Sequence, residues 1–199
     1  MKFTIKKDLL LDALIKVSKA ISTKNLIPVL AGVKFELKKK ILTLTASDNY
    51  ITIQTSIDSL SDDDFKIDNE GSIIIRGKYI LDIVRKLPDK YINIEVIDEL
   101  KILIYTENSE FNLNGISESE YPNVGLEESK KKVNMKAGTL KSIVNQTAFA
   151  TSTEESKPVL TGINFNIVGD VLECNSTDSY RLARKVVKLE KSSEDNYNI

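Results

Sequence analysis

The chain contains no histidine. Ser-His-Asp and Cys-His catalysis therefore lack their general base, and the commonest zinc ligand is missing. A single cysteine, Cys174, rules out an intrachain disulfide and fits a reducing compartment. It stands in the apolar-rich run Val171-Leu172-Glu173-Cys174 and reads as a buried strand position rather than a reactive thiol. No apolar stretch reaches the ~20 residues a membrane span needs. The first residues, Lys2-Phe3-Thr4-Ile5-Lys6, alternate instead of forming the apolar core of a signal peptide. The expectation is a cytoplasmic protein with no membrane contact. No phosphate-binding loop or dinucleotide fingerprint is present. Asp62-Asp63-Asp64 reads as a solvated acidic loop rather than a Mg²⁺ site, and Glu154-Glu155 likewise as solvated. Nothing composes a nucleophile, a base and an oxyanion site. The expectation is a non-enzyme without a cofactor.

What the chain does have is an internal repeat. Pro28-Val29-Leu30-Ala31-Gly32-Val33-Lys34-Phe35 returns as Pro158-Val159-Leu160-Thr161-Gly162-Ile163-Asn164-Phe165, an offset of 130 residues. The same offset carries Asp48 onto Asp178, Tyr50 onto Tyr180 and Leu10 onto Leu140, so one ungapped register spans 1–57 and 131–187. A period this long repeats a domain, not a solenoid unit of about 20–50 residues. The expected division is a complete first domain over 1–120, a link over 121–130 and the first half of a second domain over 131–199.

The first copy itself reads as strand, helix and three strands, used twice. Phe3 to Ile5 alternates as a strand. Leu9, Leu10, Ala13, Leu14, Val17, Ala20 and Ile21 form a helical stripe, with Asp8 placed to cap it. Gly32–Leu37, Ile41–Ala46 and Tyr50–Ile57 read as strands. Ser72–Ile75 then opens a second round, with a helical stripe of Tyr79, Ile80, Ile83, Val84 and Leu87 ended by Pro88, and strands at 91–97, 101–106 and 110–113. In the second copy a helix is expected over 139–150 and strands over 162–167, 171–175 and 180–187, with a frayed end at 190–199. This pattern implies an α+β fold, helices on one face of antiparallel sheets.

The net charge of −1 is uninformative, but its distribution is not. Residues 6–19 carry +2, residues 76–90 carry +3 and residues 130–146 carry +5. These segments hold the three expected helices, so the rest of the chain is acidic. Basic helices on an acidic background form a one-sided positive field suited to a polyanion. No aromatic cluster is interleaved with the cations, so phosphate contact without base stacking or sequence readout is the expected mode.

Several ordered motifs resemble the bacterial sliding clamp family, the beta subunit of DNA polymerase III. They are Met1-Lys2-Phe3-Thr4, Leu26-Ile27-Pro28-Val29-Leu30, Leu42-Thr43-Leu44-Thr45-Ala46-Ser47-Asp48, Asp82-Ile83-Val84-Arg85-Lys86-Leu87-Pro88 and Glu120-Tyr121-Pro122-Asn123. The most specific is Ser176-Thr177-Asp178-Ser179-Tyr180-Arg181-Leu182-Ala183, which looks like the family's Thr-Asp-Gly/Ser-His/Tyr-Arg-Leu signature. The resemblance runs from Met1 to about Val187. It implies a DNA-clamp fold and a homodimeric ring of three domains per subunit, helices lining the hole around duplex DNA. It implies a processivity factor that tethers the replicative polymerase.

The resemblance also implies sites. Basic contacts to DNA fall on Lys24, Lys78 and Lys157, joined by Lys136 and Lys141 from the charge argument; Glu154 falls where a polar DNA contact is common. A pocket for short peptides of the polymerase and the clamp loader falls on Leu160, Thr177, Ser179, Tyr180, Arg181 and Leu182. On residues alone, Leu160 and Leu182 read as core strand packing; only the signature makes them pocket walls. A subunit interface falls on Phe111 and Leu113, with Asn108 and Glu110 where the family is often basic. Two other readings stand beside the clamp. One is a polymerase or nuclease domain, against which the lack of a paired-carboxylate metal site speaks. The other is a non-catalytic interaction scaffold fragment unable to form a ring.

Overall fold

A computed structural model describes residues 1–21, 27–58, 64–124, 126, 133–154, 156–190 and 196–199. The chain divides into two units, Met1–Glu127 and Glu128–Ile199. Asp62 and Asp63 of the acidic run, and Glu155, lie outside the described residues.

In the first unit, strand β1 (Lys2–Lys6) buries Phe3 and Ile5 and runs straight into helix α1 (Lys7–Val17). On α1, Leu10, Ala13, Leu14 and Val17 are buried, the i, i+3, i+4, i+7 stripe of an amphipathic helix. Asp8 does not cap this helix: the N-cap is Lys6, and no side chain bonds there. No connecting loop exists for a cap to occupy. The Lys6 and Lys7 N–H groups are taken by the carbonyls of Asp64 and Lys90, both at 2.8 Å. Asp8 instead lies in the first turn, where its charge suits the helix dipole. Short 3₁₀ turns at Ser18–Ala20 and Pro28–Ala31 lead to β2 (Gly32–Lys38), β3 (Ile41–Ser47) and β4 (Thr52–Asp58). Then come β5 (Phe65–Asn69), β6 (Gly71–Arg76), α2 (Gly77–Lys86), β7 (Tyr91–Asp98), β8 (Lys101–Tyr105) and β9 (Glu110–Asn114).

Antiparallel pairing orders these strands β5-β1-β7-β8-β9 in one sheet and β4-β3-β2-β6 in the other. The halves of the unit therefore exchange their first strands. β1 joins the second half through Ile5↔Ile92, and β6 joins the first through Val33↔Ile75. β5, absent from the sequence reading, covers the other edge of β1, with the Phe65 ring edge-on to Phe3 at 5.8 Å. Both sheets and both helices share one core: Phe3, Leu14, Phe35, Leu44, Ile80 and Ile94 are among its members. Removing a buried leucine such as Leu14 to alanine costs roughly 2–5 kcal/mol.

The second unit contains α3 (Ala137–Thr147), 3₁₀ turns at Ala148–Ala150 and Pro158–Leu160, and β10 (Asn164–Val168), β11 (Val171–Thr177), β12 (Leu182–Lys188) and β13 (Tyr197–Asn198), ordered β12-β11-β10-β13. β13 lies beside β10 as β6 lies beside β2, so the end of the stretch expected to fray is paired at Ile167↔Tyr197, while 191–195 lie outside the described residues. Val133–Lys136, the counterpart of Phe3–Lys6, is not a strand. The core is smaller, built on Ile143, Ile167, Leu172, Cys174 and Leu189. Cys174 is buried, and burial pushes its thiol pKa up. On α3, Leu140 and Val144 are 42% and 39% exposed, whereas their counterparts Leu10 and Leu14 are fully buried. In the first unit α1 packs against α2. Among the described residues the second unit holds no counterpart of α2.

Candidate functional site

Tyr50 and Tyr180 are not strand residues. Each sits in a turn built by the aspartate two residues before it. In the second unit, Asp178 Oδ1 accepts the N–H groups of Tyr180 and Arg181, both at 3.0 Å. Thr177 Oγ1 accepts the Ser179 N–H at 3.1 Å and donates to the Arg181 carbonyl at 2.7 Å. Such side-chain bonding to nearby backbone ends a strand in favour of a turn. Ser179 takes the left-handed conformation (φ 79°) that this geometry demands. The Arg181 and Tyr180 N–H groups, and then the Arg181 guanidinium, hold the Asp178 carboxyl below the usual carboxylate range.

This turn forms one wall of a cleft of about 290 Å³. Ser179, Tyr180 and Arg181 line it together with Asp178. The opposite wall is the 151–160 segment, where Glu154, Lys157 and Leu160 face the cleft. The Ser152 N–H donates to the Leu160 carbonyl at 2.8 Å and closes that segment into a loop. Leu160 ends a 3₁₀ turn, half-buried, and Leu182 opens β12 at 68% exposure, so neither is a core strand residue. Thr177 shapes the turn, and neither it nor Leu182 lines the cleft. Lys157, assigned to DNA from the resemblance, also lines the cleft. The sequence reading missed Phe149, whose exposed ring lies 5.7 Å below the Arg181 guanidinium, and the Asp178 carboxylate, which Arg181 Nε contacts at 2.9 Å.

The first unit carries an apolar recess of about 280 Å³ between the end of α2 and the β8–β9 connection. Ile83, Leu87, Pro88 and Phe111 line it, with Asp82 and Lys86 at its margin. Phe111 lies on β9, the edge strand of its sheet, and is partly exposed. Leu113 packs against the main core and does not line the recess. Asn108 is engaged with Asp89 (Nδ2 to Oδ1, 3.0 Å), and Glu110 is exposed.

The helix cations divide into engaged and free. Around α1, Lys6 pairs with Asp64 at 3.5 Å, Lys16 with Asp12 at 2.5 Å, and Lys7 Nζ donates to the Leu87 carbonyl. Lys136, at the N-cap of α3, pairs with Glu190 at 2.6 Å. On and beside α2, Arg76, Lys78, Arg85 and Lys86 are exposed and make no ion pair among the described residues; the same holds for Lys141 on α3. Lys24 lies outside the described residues. Among the described residues, no three His, Cys, Asp or Glu side chains group to hold a metal ion, and no helix is long and apolar enough to cross a membrane.

Solved structures share this arrangement of sheets and helices. A DNA polymerase III beta chain from Streptococcus pneumoniae superposes with a TM-score of 0.94 at 34% identity, covering 100% of this chain and 53% of that one. A DNA polymerase sliding clamp from Bacillus subtilis does so with a TM-score of 0.90 at 35% identity, again over 100% and 53%. The fold is thus the clamp fold. The family model for the N-terminal domain of the DNA polymerase III beta subunit matches residues 1–125, and that for its central domain matches 134–199. The chain belongs to the DNA polymerase III beta subunit family. The beta sliding clamp of Halalkalibacterium halodurans is 40% identical over 197 residues, 98% of this chain and 52% of that protein. The chain therefore spans about half the length of the relatives it matches.

Proposed function

We propose that the chain supplies the first domain and the start of the second domain of a sliding clamp, a processivity factor that encircles duplex DNA in the bacterial cytoplasm. The observation that carries this reading is the consecutive match to the N-terminal and central domains of the beta subunit, over 1–125 and 134–199. In this reading the clamp role is that of a non-catalytic processivity subunit.

Three surfaces carry the work. The free cations Lys78, Arg85 and Lys86 of α2, with Lys141 of α3, attract phosphates without fixing a sequence; Lys24, Lys157 and Lys136, the last by leaving its pair with Glu190, act with them. The cleft of Leu160, Ser179, Tyr180 and Arg181, shaped by Thr177 and bordered by Leu182, receives a short peptide of the replicative polymerase or the clamp loader. The recess at Phe111, with edge strand β9 beside it, meets a second subunit, and Leu113 supports it from the core. The second unit is one half of a domain like the first: Leu140 and Val144 are open where Leu10 and Leu14 are covered. A second half contributes the helix that closes that face.

Loading the full-length protein onto nicked circular duplex and then linearising the DNA tests this. A clamp held by topology stays on the circle and runs off the linear ends. Equal retention on both forms overturns the ring. The engaged cations around α1 favour a second reading, an interaction scaffold that does not hold DNA. Salt-independent retention would support it.

A further inference from the structure

The first unit contains the same turn without the polar wall of the cleft. At the 130-residue offset, Lys19, Asp48 and Ile51 stand where Phe149, Asp178 and Arg181 stand. The aspartate is common to both because it builds the turn in both. The ring and the guanidinium occur together only in the second unit, so they serve the cleft rather than the turn. Arg181 is held from two sides. Its Nε donates to Asp178 Oδ2 at 2.9 Å, and its guanidinium carbon lies 5.7 Å from the Phe149 ring centroid, within cation–π reach. Its terminal nitrogens make no hydrogen bond among the described residues. An exposed arginine otherwise samples many rotamers, and fixing one beforehand reduces the freedom lost on binding.

We propose that Phe149 is a positioning residue for the cleft: its ring and the Asp178 carboxylate hold the Arg181 guanidinium so that its terminal nitrogens grip an acidic side chain of a bound peptide. This rests on the reading of the cleft as a peptide site. A planar fork of donors matches a carboxylate in two parallel bonds, which a carboxamide cannot reproduce.

Two fluorescein-labelled octapeptides of leucine, phenylalanine and serine, one with a central aspartate and one with asparagine there, serve as probes in anisotropy titrations. The aspartate peptide binds more tightly. Phe149→Leu weakens it about threefold, Phe149→Trp restores it, and Phe149→Leu adds nothing in an Arg181→Met background. The Arg181 Nε–H resonance loses its ring-current shift in Phe149→Leu and keeps one in Phe149→Trp. Phe149 is exposed, so these variants fold. Equal affinity for the two peptides, a full further loss in the Arg181→Met background, or an unmoved Nε–H signal overturns the positioning role. No saturable binding of either peptide to the unaltered chain removes the peptide reading itself, and the positioning role with it.

Discussion

Asp48 and Asp178, 130 positions apart, perform the same task. Asp48 Oδ1 accepts the N–H groups of Ile51 at 2.8 Å and Tyr50 at 3.0 Å; Asp178 Oδ1 accepts those of Arg181 and Tyr180, both at 3.0 Å. The residues preceding the tyrosines, Asn49 and Ser179, are both left-handed, at φ 81° and 79°. Each turn lifts a tyrosine into solvent, Tyr50 at 94% and Tyr180 at 97% exposure. The two turns differ in what surrounds the tyrosine, and only the second has the Phe149 and Arg181 pair beside it.

Those backbone N–H groups hold both carboxyls below the ordinary aspartate range. A depressed folded-state pKa contributes stability that is fully present above the unfolded value and is lost as pH falls through the folded one. The melting temperature should therefore be level at neutral pH and fall below about pH 4. In the Asp48→Asn, Asp178→Asn double variant the acid fall should be shallower. Calorimetry at stepped pH decides it; superimposable acid limbs would detach the turns from acid sensitivity.

Leu182→Ala should leave folding almost untouched, because an exposed side chain contributes within about 0.5 kcal/mol. Affinity for a partner peptide in the full-length protein should drop by roughly threefold, the cost of trimming a side chain at the border of the cleft. Melting and anisotropy measured on the same sample separate the two effects. A normal affinity in the folded variant would take Leu182 out of the binding surface.

Leu10 and Leu140 occupy matching helix positions but different environments. Leu10→Ala should cost about 2–5 kcal/mol, as for a filled core. Leu140→Ala in this chain should cost no more than about 1 kcal/mol, since part of its surface is already wet. Urea unfolding followed by a probe in each unit gives both values. Equal costs would mean that the α3 face is covered after all.

Charge reversal at Lys78, Arg85 and Lys86 should weaken duplex binding and lower the salt slope by about 0.9 for each lost phosphate contact. Lys16→Glu, where the cation is already paired with Asp12, should change it much less. Filter binding across a salt series measures both, and identical slopes for the two variants would refute the division into free and engaged cations.

Elements with a strong period were readable from residues alone: Phe3 and Ile5 alternate, and Leu10, Ala13, Leu14 and Val17 stripe a helix. β5 was not, because Phe65 and Ile67 are its only apolar residues and it becomes a strand only against β1. Val133 and Met135 alternate just as Phe3 and Ile5 do, yet no strand forms, because no counterpart of β7 lies beside them among the described residues. The turn of the cleft was legible through its Thr-Asp-Ser-Tyr-Arg signature. Phe149 and Lys157 were not, since only folding brings a loop from before β10 to a turn after β11.

The exchange of first strands bears on how the chain is made. β1 leaves the ribosome before either of its neighbours: one flank waits for β5 and the other for β7. From Lys6 to its partner Tyr91 the ribosome must add 85 residues, roughly 4–17 seconds of synthesis. Until β5 is made Phe3 and Ile5 have no strand to pair with, and through the rest of that interval the β7 flank of β1 stays open. The early polypeptide thus carries an unsatisfied apolar edge, a candidate for chaperone capture, until the second half of the unit emerges to pair with it.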